Sequence, residues 1–408
     1  MKTELTESIR NTAEGARAEA ILRKCVHCGF CNATCPTYQI LGDELDGPRG
    51  RIYLIKSLLE GHDASAGTRL HLDRCLTCRA CETTCPSGVE YGALLDIGRE
   101  QVEKTMKRPW YQRLHRGILK AVLSRRTLFT GLLRIGQFVR PVLPSGLRRT
   151  IPSRQPDVSI EALAVHERRV ILFQGCVQPG ISPETNRIAA SVLNGLGIAA
   201  VQVKGEQCCG ALHHHLGDTR AAKTLMRKNI DRWWPLLQEE NECIVSTASG
   251  CGLMIKEYGE VLADDPEYRD RAKAISDRCR DIAEFLAAQD TGRLKCMLPT
   301  DRRSPAFHCP CTLQHGQHLA GVTESLLAGL GIEPSLPGDA HLCCGSAGTY
   351  SILQPELSAQ LRHNKLRELL KSKPDTILTA NIGCQAHLQQ ATNVPVRHWI
   401  TVFESKQS

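Results

Sequence analysis

The spacing of the cysteines constrains this chain more than any other feature. CVHCGFCNATCP places Cys25, Cys28, Cys31 and Cys35 ahead of Pro36, and CLTCRACETTCP places Cys75, Cys78, Cys81 and Cys85 ahead of Pro86. Both read C-x2-C-x2-C-x3-C-P, and all four cysteines recur at an offset of 50. Three closely spaced thiols can wrap one small object, while the proline ends the segment and turns the fourth sulfur away. Twenty cysteines occur in 408 residues. No apolar run nears the ~18 residues that span a bilayer, and the start, MKTELTESIR, has no apolar signal region. The chain is expected in a reducing cytosol, where such thiols serve metal or redox chemistry rather than disulfides.

These runs resemble the bacterial two-cluster ferredoxin run, in which the fourth cysteine ligates the other cluster. The resemblance implies one [4Fe–4S] cluster on Cys25, Cys28, Cys31 and Cys85, and a second on Cys75, Cys78, Cys81 and Cys35. C-x2-C is also a zinc half-site, but two identical four-cysteine runs with prolines argue for clusters. The runs are 39 residues apart. Between them GPRGRIYLIKSLLEG (47–61) predicts a helix with Ile52, Ile55, Leu58 and Leu59 on one face. A compact β-type ferredoxin has no room for it. Residues 1–106 are instead similar to the α-helical ferredoxin domain of the succinate dehydrogenase iron–sulfur subunit.

Residues 107–165 form a basic helical linker. Its 107–154 portion carries twelve Lys/Arg and no Asp/Glu, more than the whole net charge of +8, so the rest of the chain is net acidic. Leu114, Ile118, Leu119, Val122 and Leu123, then Leu128, Phe129, Leu132, Leu133 and Ile135, keep helical spacing and predict two amphipathic helices. Three readings fit: packing helices with solvated arginines, a surface for anionic lipid, or a dock for an acidic partner subunit. No interleaved aromatic platform points to nucleic acid.

From residue 166 strands and helices alternate, the pattern of parallel α/β units. RRVILFQGC is an apolar strand leading to Cys176; Ser182 and Pro183 open a helix; AAVQV leads to GEQCCG; ECIVSTASGCG is a strand delivering Cys251. Long helices are expected over 217–232 and 266–289. The plan then repeats: PAFHCPC leads to Cys311, LAGLGI echoes LNGLGI, HLCCG follows, a helix runs from about 354 to 371, and DTILTANIGC brings Cys384. Cys311, Cys343 and Cys344 lie 135 residues after Cys176, Cys208 and Cys209, and Cys384 lies 133 after Cys251. Residues 166–300 and 301–408 are two copies of one module.

Adjacent cysteines make a strained disulfide and are more than a core needs. Gly210 and Gly345 allow a positive φ, so both neighbouring sulfurs can face one object. Ligands gather at the carboxyl ends of strands in open α/β sheets. Cys176, Cys208, Cys209 and Cys251 are therefore expected around one centre, and Cys311, Cys343, Cys344 and Cys384 around another. Soft thiolates select iron–sulfur centres, with zinc as the alternative. Cys243, Cys279 and Cys296 are left as core or surface thiols.

The doubled C-(x31–39)-CCG-(x35–45)-C pattern resembles the cysteine-rich CCG domain of heterodisulfide reductase catalytic subunits. A ferredoxin pair ahead of two such modules narrows it. CVHCGFCNATCPTYQILGDELDGPRGRIYLIK, HLDRCLTCRACETTCPSGVEYGALLDIGRE, FHCPCTLQHG and HLCCGSAGTY closely resemble the glycolate oxidase iron–sulfur subunit family, over nearly the whole chain. That resemblance implies an electron-transfer subunit. Its FAD-containing partner subunits would oxidise glycolate to glyoxylate, and the electrons would pass towards a membrane quinone-type acceptor. It also implies a cytoplasmic protein, with a peripheral place on the cytoplasmic face of the inner membrane as the variant reading. One departure stands out. Heterodisulfide reductase modules end in C-x-x-C and use five cysteines, whereas Ala248 and Asn381 replace the first cysteine here. Cys309 is a possible fifth thiol in the second copy only.

In ALHHHLG, His213, His214 and His215 follow the first CCG, either as a polar loop opening a helix or as imidazoles tuning the neighbouring centre. No G-x-G-x-x-G opens a βα unit, and there is no P-loop and no H-E-x-x-H, so no catalytic residue is assigned. Four centres of about −2 each would bring the formal +8 to about zero. The competing readings are a CCG-centred catalytic subunit of the heterodisulfide reductase type, and the iron–sulfur subunit of an anaerobic glycerol-3-phosphate or lactate dehydrogenase.

Overall fold

Apolar spacing sets the first layer. The helix Pro48–Leu59 starts on a proline and buries Ile52, Ile55, Leu58 and Leu59, as the sequence predicts. This face packs on the helix Tyr91–Thr105, which buries Leu94, Leu95 and Val102. Gly98 admits the Ile55 side chain between the two helices, since a Cβ there would stand 2.6 Å from Ile55 Cγ1. With the helix Ala13–Lys24 they enclose an all-helical core around Ile21, Leu22, Leu59 and Leu72. The computed structural model describes residues 1–154, 166–239, 241–299 and 304–404.

Two small parallel sheets follow. Strands β1 (Arg168–Phe173), β2 (Ile198–Val201), β3 (Asn241–Ser246) and β4 (Cys279–Asp281) pair in the order β2-β1-β3-β4. Strands β5 (Pro305–His308), β6 (Thr376–Thr379) and β7 (Val396–His398) pair as β5-β6-β7. Ser335 bridges Ala306 in parallel where β2 stands in the first sheet, so the repeat extends to strand order. The central strands are buried almost end to end, as parallel strands covered on both faces must be.

The modules exchange edges. The helix Pro183–Gly195 of the first packs on the closing turn Trp399–Phe403 of the second, and Val322–Gly329 of the second packs on Ile282–Ala287 of the first. One core, including Leu172, Leu193, Leu286, Phe307, Leu327 and Trp399, therefore belongs to both.

Three expectations need correction. The expected long helix over 266–289 is broken into Arg269–Asp277, strand β4 and Ile282–Ala287. Cys279–Asp281 completes the sheet edge, and Asp281 with Glu284 forms a capping box that starts a new helix. Cys251 and Cys384 do not sit at strand ends. They lie in the first turns of the helices Ser249–Lys256 and Ile382–Gln389.

The third correction concerns the basic segment. Its helices, Trp110–Leu123 and Arg126–Val139, form as predicted, but they pack only in part: Leu119, Val122, Phe129 and Leu133 are half-buried while much of the apolar face stays exposed. Neither helix buries a residue. Trp110, Leu114, Ile118, Leu132, Ile135 and Phe138 are exposed, Phe138 to 86%. Two basic side chains turn inward, Arg116 pairing with Asp73 at 3.0 Å and Lys120 with Asp218, whereas Arg113, Arg125 and Arg126 stay exposed. Of the remaining thiols, Cys243 and Cys279 are buried and Cys296 is exposed.

Candidate metal centres

Each ferredoxin-type run leaves a helix, winds through a loop and enters a short helix. Cys25 ends Ala13–Lys24, and Phe30–Ala33 follows. The winding needs positive φ at equivalent places: His27 (57°) and Gly29 (86°) in the first run, Thr77 (53°) and Arg79 (60°) in the second. Three of these four carry side chains, and such backbone strain concentrates where function demands a loop. Pro36 then starts the helix Pro36–Leu41 with Cys35 as its N-cap residue.

The result is two cavities. One is lined by Cys25, Cys28, Cys31 and Cys85, with Cys81 also in its wall. The other is lined by Cys75, Cys78, Cys81 and Cys35. The fourth sulfur of each run thus lies with the other run's triplet. The donor set, four soft thiols at each site, fits the cluster expected there. Burial, then the neighbouring Cys25, Cys85 and Cys28, push the Cys31 thiol up to about 11. Burial raises Cys78 and Cys81 well above the usual thiol range. A metal must displace these protons on binding.

The two cavities differ electrostatically. Cys28 is exposed at the rim of the first. The second holds the buried Arg51 guanidinium, 4.0 Å from Cys35 Sγ, donating to Thr37 Oγ1 (3.1 Å) and the His71 carbonyl (2.7 Å). Burial opposes its charge, but Cys75, Tyr91, Cys35 and Asp46 more than offset that and hold its pKa raised. Asp46 also meets Arg74 at 2.9 Å and His71 at 3.0 Å. The Tyr91 hydroxyl donates to Cys75 Sγ at 3.6 Å.

In each α/β module the four thiols are in successive contact, a chain of sulfurs called a line below. Cys176 Sγ lies 3.6 Å from Cys208 Sγ, and Cys208, Cys209 and Cys251 follow in contact. Cys311 Sγ lies 3.8 Å from Cys343 Sγ, with Cys344 and Cys384 next in line. Gly210 (φ 94°) and Gly345 (φ 90°) make the turn that aims both adjacent sulfurs inward, as the sequence predicts. A Cβ at Gly345 would stand 2.7 Å from the Ser358 carbonyl oxygen. Hydrogen bonds from Cys176 and Cys209 hold Cys208 well below the usual thiol range, against burial. Asn381, where C-x-x-C would have a cysteine, directs Nδ2 to 3.7 Å from Cys384 Sγ.

Cys309 does not join its line. Its sulfur is buried in the core shared by the modules, beside Glu324. The donor that does approach is His308, which the sequence did not single out: its ring and the sulfurs of Cys344 and Cys384 lie within 4.8 Å of one another. The signal was present as a histidine three residues before Cys311, but nothing in the spacing said which way it faced. The three histidines after the first CCG have another task. His214 and His215 flank Asp96 of the ferredoxin part at 3.3 and 3.4 Å, and His213 meets Asp218 at 3.5 Å.

The centres are not isolated. Cys78 of the second cavity shares one buried cluster with Cys311, Cys343, Leu76 and Tyr350. Ser249 and Thr312 hydroxyls meet at 2.8 Å between the modules, close to Cys251 and Cys311 in sequence.

Residues 21–89 match the 4Fe-4S dicluster domain, and residues 170–256 and 305–389 each match the cysteine-rich domain CCG. The glycolate oxidase iron-sulfur subunit of Escherichia coli (strain K12) is 49% identical over 404 residues, 99% of this chain and 98% of that protein. The chain belongs to the glycolate oxidase iron–sulfur subunit family. A second relative of this family, the probable glycolate oxidase iron-sulfur subunit of Bacillus subtilis (strain 168), is 31% identical across 93% of this chain and 90% of its own length. Lactate utilization protein A of the same organism is 26% identical across 58% of this chain and 100% of its own length. As a glycolate oxidase iron–sulfur subunit, the chain is an iron–sulfur electron-transfer component of an oxidoreductase complex. No described helix is long and apolar enough to cross a membrane.

Proposed function

We propose that this chain takes electrons from FAD-containing glycolate oxidase subunits, which oxidise glycolate to glyoxylate, and passes them towards a membrane quinone-type acceptor. The carrying observation is the alignment of the thiol sets, from the exposed Cys28 rim through the buried Cys75–Cys81 set to Cys311 and Cys343. An iron–sulfur cluster held by such thiolates accepts and releases one electron at a time. The residues supply spacing and potential. Cys25, Cys28, Cys31 and Cys85 hold one [4Fe–4S] cluster, and Cys75, Cys78, Cys81 and Cys35 the other. Each CCG line holds a further iron–sulfur centre. Among the described residues no three thiols of the first line lie within 4.8 Å of one another, whereas four sulfurs on one zinc are all about 4 Å apart, which favours a multi-iron centre over zinc in that module.

The exposed apolar face of the helical hairpin, rimmed by exposed Arg113, Arg125 and Arg126, supports peripheral contact with an anionic cytoplasmic membrane face. Heterodisulfide-type catalysis has less support, because Ala248 and Asn381 stand where its extra thiols would be. Lactate is the second substrate reading, favoured by the similarity to lactate utilization protein A.

Reconstitution tests this. Flavin subunits are assayed with and without this chain, with an artificial dye and a quinone in parallel, on glycolate and on lactate. The chain alone should reduce neither acceptor, and quinone reduction should require it. Undiminished quinone reduction without the chain overturns the role, and activity on lactate alone replaces the substrate.

A further inference from the structure

The two CCG modules are not equivalent. His308 ends β5, paired in register with Thr379 of β6. Its counterpart 135 residues earlier is Phe173, which ends β1 and packs edge-on against Trp233 at 5.6 Å. The first module therefore offers only sulfur at this place, and the second offers nitrogen.

His308 is 1% exposed, and neither ring nitrogen has a hydrogen-bond partner. Buried polar groups are paired in the great majority of cases, and leaving one unpaired costs roughly 1–3 kcal/mol. An orphaned imidazole beside two thiols is the signature of a missing ligand. Its donor atoms and those of Cys344 and Cys384 fall within one 4.8 Å span. The other group of that size, Asp43, Asp46 and His71, is already neutralised by Arg51 and Arg74. Neighbouring His387 is not in competition, because its Nε2 lies 3.2 Å from the Ser358 hydroxyl.

We propose that His308 ligates the iron–sulfur centre of the second CCG module through one ring nitrogen, alongside Cys311, Cys343, Cys344 and Cys384. The imidazole donates a lone pair without adding negative charge, and ligation accounts for one of its two orphaned nitrogens. The second module then has five donors, with nitrogen in the place where the sequence suggested Cys309. Histidine ligands give higher cluster potentials than thiolates in the same place, so a thiolate at this position would lower the potential of the centre. The inference rests on the proposed iron–sulfur reading of the modules.

The test uses the full chain, prepared anaerobically with its clusters and labelled with 15N-histidine. Metal content, redox titration and pulsed EPR are measured for wild type, Cys344→Ala, His308→Phe and His308→Cys. Cys344→Ala defines the second centre by its loss. That centre should show 15N coupling in wild type and lose it in His308→Phe, a change that reproduces the first module's residue. His308→Cys should retain the iron and shift the potential downward, since it adds a thiolate. A second centre without nitrogen coupling, whose potential is unmoved in both His308 variants, overturns the ligand and leaves the iron–sulfur reading intact. Zinc in place of iron, lost in both Cys344→Ala and His308→Phe, keeps the ligand and rejects the iron–sulfur reading. No metal in the module overturns both.

Discussion

Asp281 and His398 do the same work in the two modules with opposite proton chemistry. Each ends an edge strand and accepts a hydrogen bond from the backbone N–H two residues on: Ala283 N to Asp281 Oδ1 at 2.9 Å, Ile400 N to His398 Nδ1 at 3.1 Å. His398 Nε2 donates to the Thr247 carbonyl at 2.7 Å, which fixes the tautomer and joins the modules.

Burial pushes Asp281 up to about 7 and His398 down to about 4. Between pH ~4 and ~6.5 the folded state holds an extra proton on Asp281 and lacks one on His398. Asp281 thus makes stability fall as pH rises through this window, and His398 makes it rise, each by up to ~1.4 kcal/mol per pH unit. The two slopes oppose each other in the wild type. Asp281→Asn keeps the acceptor and removes one slope. Chemical denaturation should then show stability rising with pH from 4 to 6.5 more steeply than in wild type. An unchanged slope would show that Asp281 is ionised throughout.

Cys35→Ser should disturb the centre bound mainly by the second run, because Cys35 lines the cavity of Cys75, Cys78 and Cys81. EPR of the reduced protein should show that signal altered and the Cys25–Cys31 signal intact. Loss of the first-run signal alone would reject the crossed grouping.

Arg51→Gln should lower the midpoint potential of the same centre, because it removes a buried positive charge 4.0 Å from Cys35 Sγ. At an effective dielectric of about 20 the shift is on the order of 100 mV. The variant also leaves Asp46 with only Arg74 and His71 as partners, so a loss of stability is expected alongside. Redox titration followed by EPR separates the two effects, and an unmoved potential would remove Arg51 from the tuning of the site.

Phe138→Ser with Ile135→Ser should leave folding stability within about 0.5 kcal/mol, since neither side chain is buried. Co-sedimentation with anionic vesicles should fall several-fold, and wild-type binding should weaken with salt. Salt-independent binding to neutral and anionic vesicles alike would reject electrostatic anchoring, and no binding to either would assign the face to a protein partner.

The repeat of C-x2-C-x2-C-x3-C-P and the doubled CCG pattern are written in the order of residues, because a ligand loop needs its donors at fixed spacing. The sequence alone determined the cluster-binding class, the helix Pro48–Leu59 and the two-module plan, since spacing and apolar period are local properties. It missed the break at Cys279–Asp281, where helical periodicity yields to a sheet edge that exists only once β3 is in place. It likewise could not orient the basic hairpin, because Asp73 and Asp218, which draw Arg116 and Lys120 inward, are distant in sequence. The choice between His308 and Cys309 was of the same kind. Adjacent residues in extended chain face opposite sides. Only the packing of β5 between the shared core and the Cys344–Cys384 loops decided that the sulfur went to the core and the imidazole to the centre.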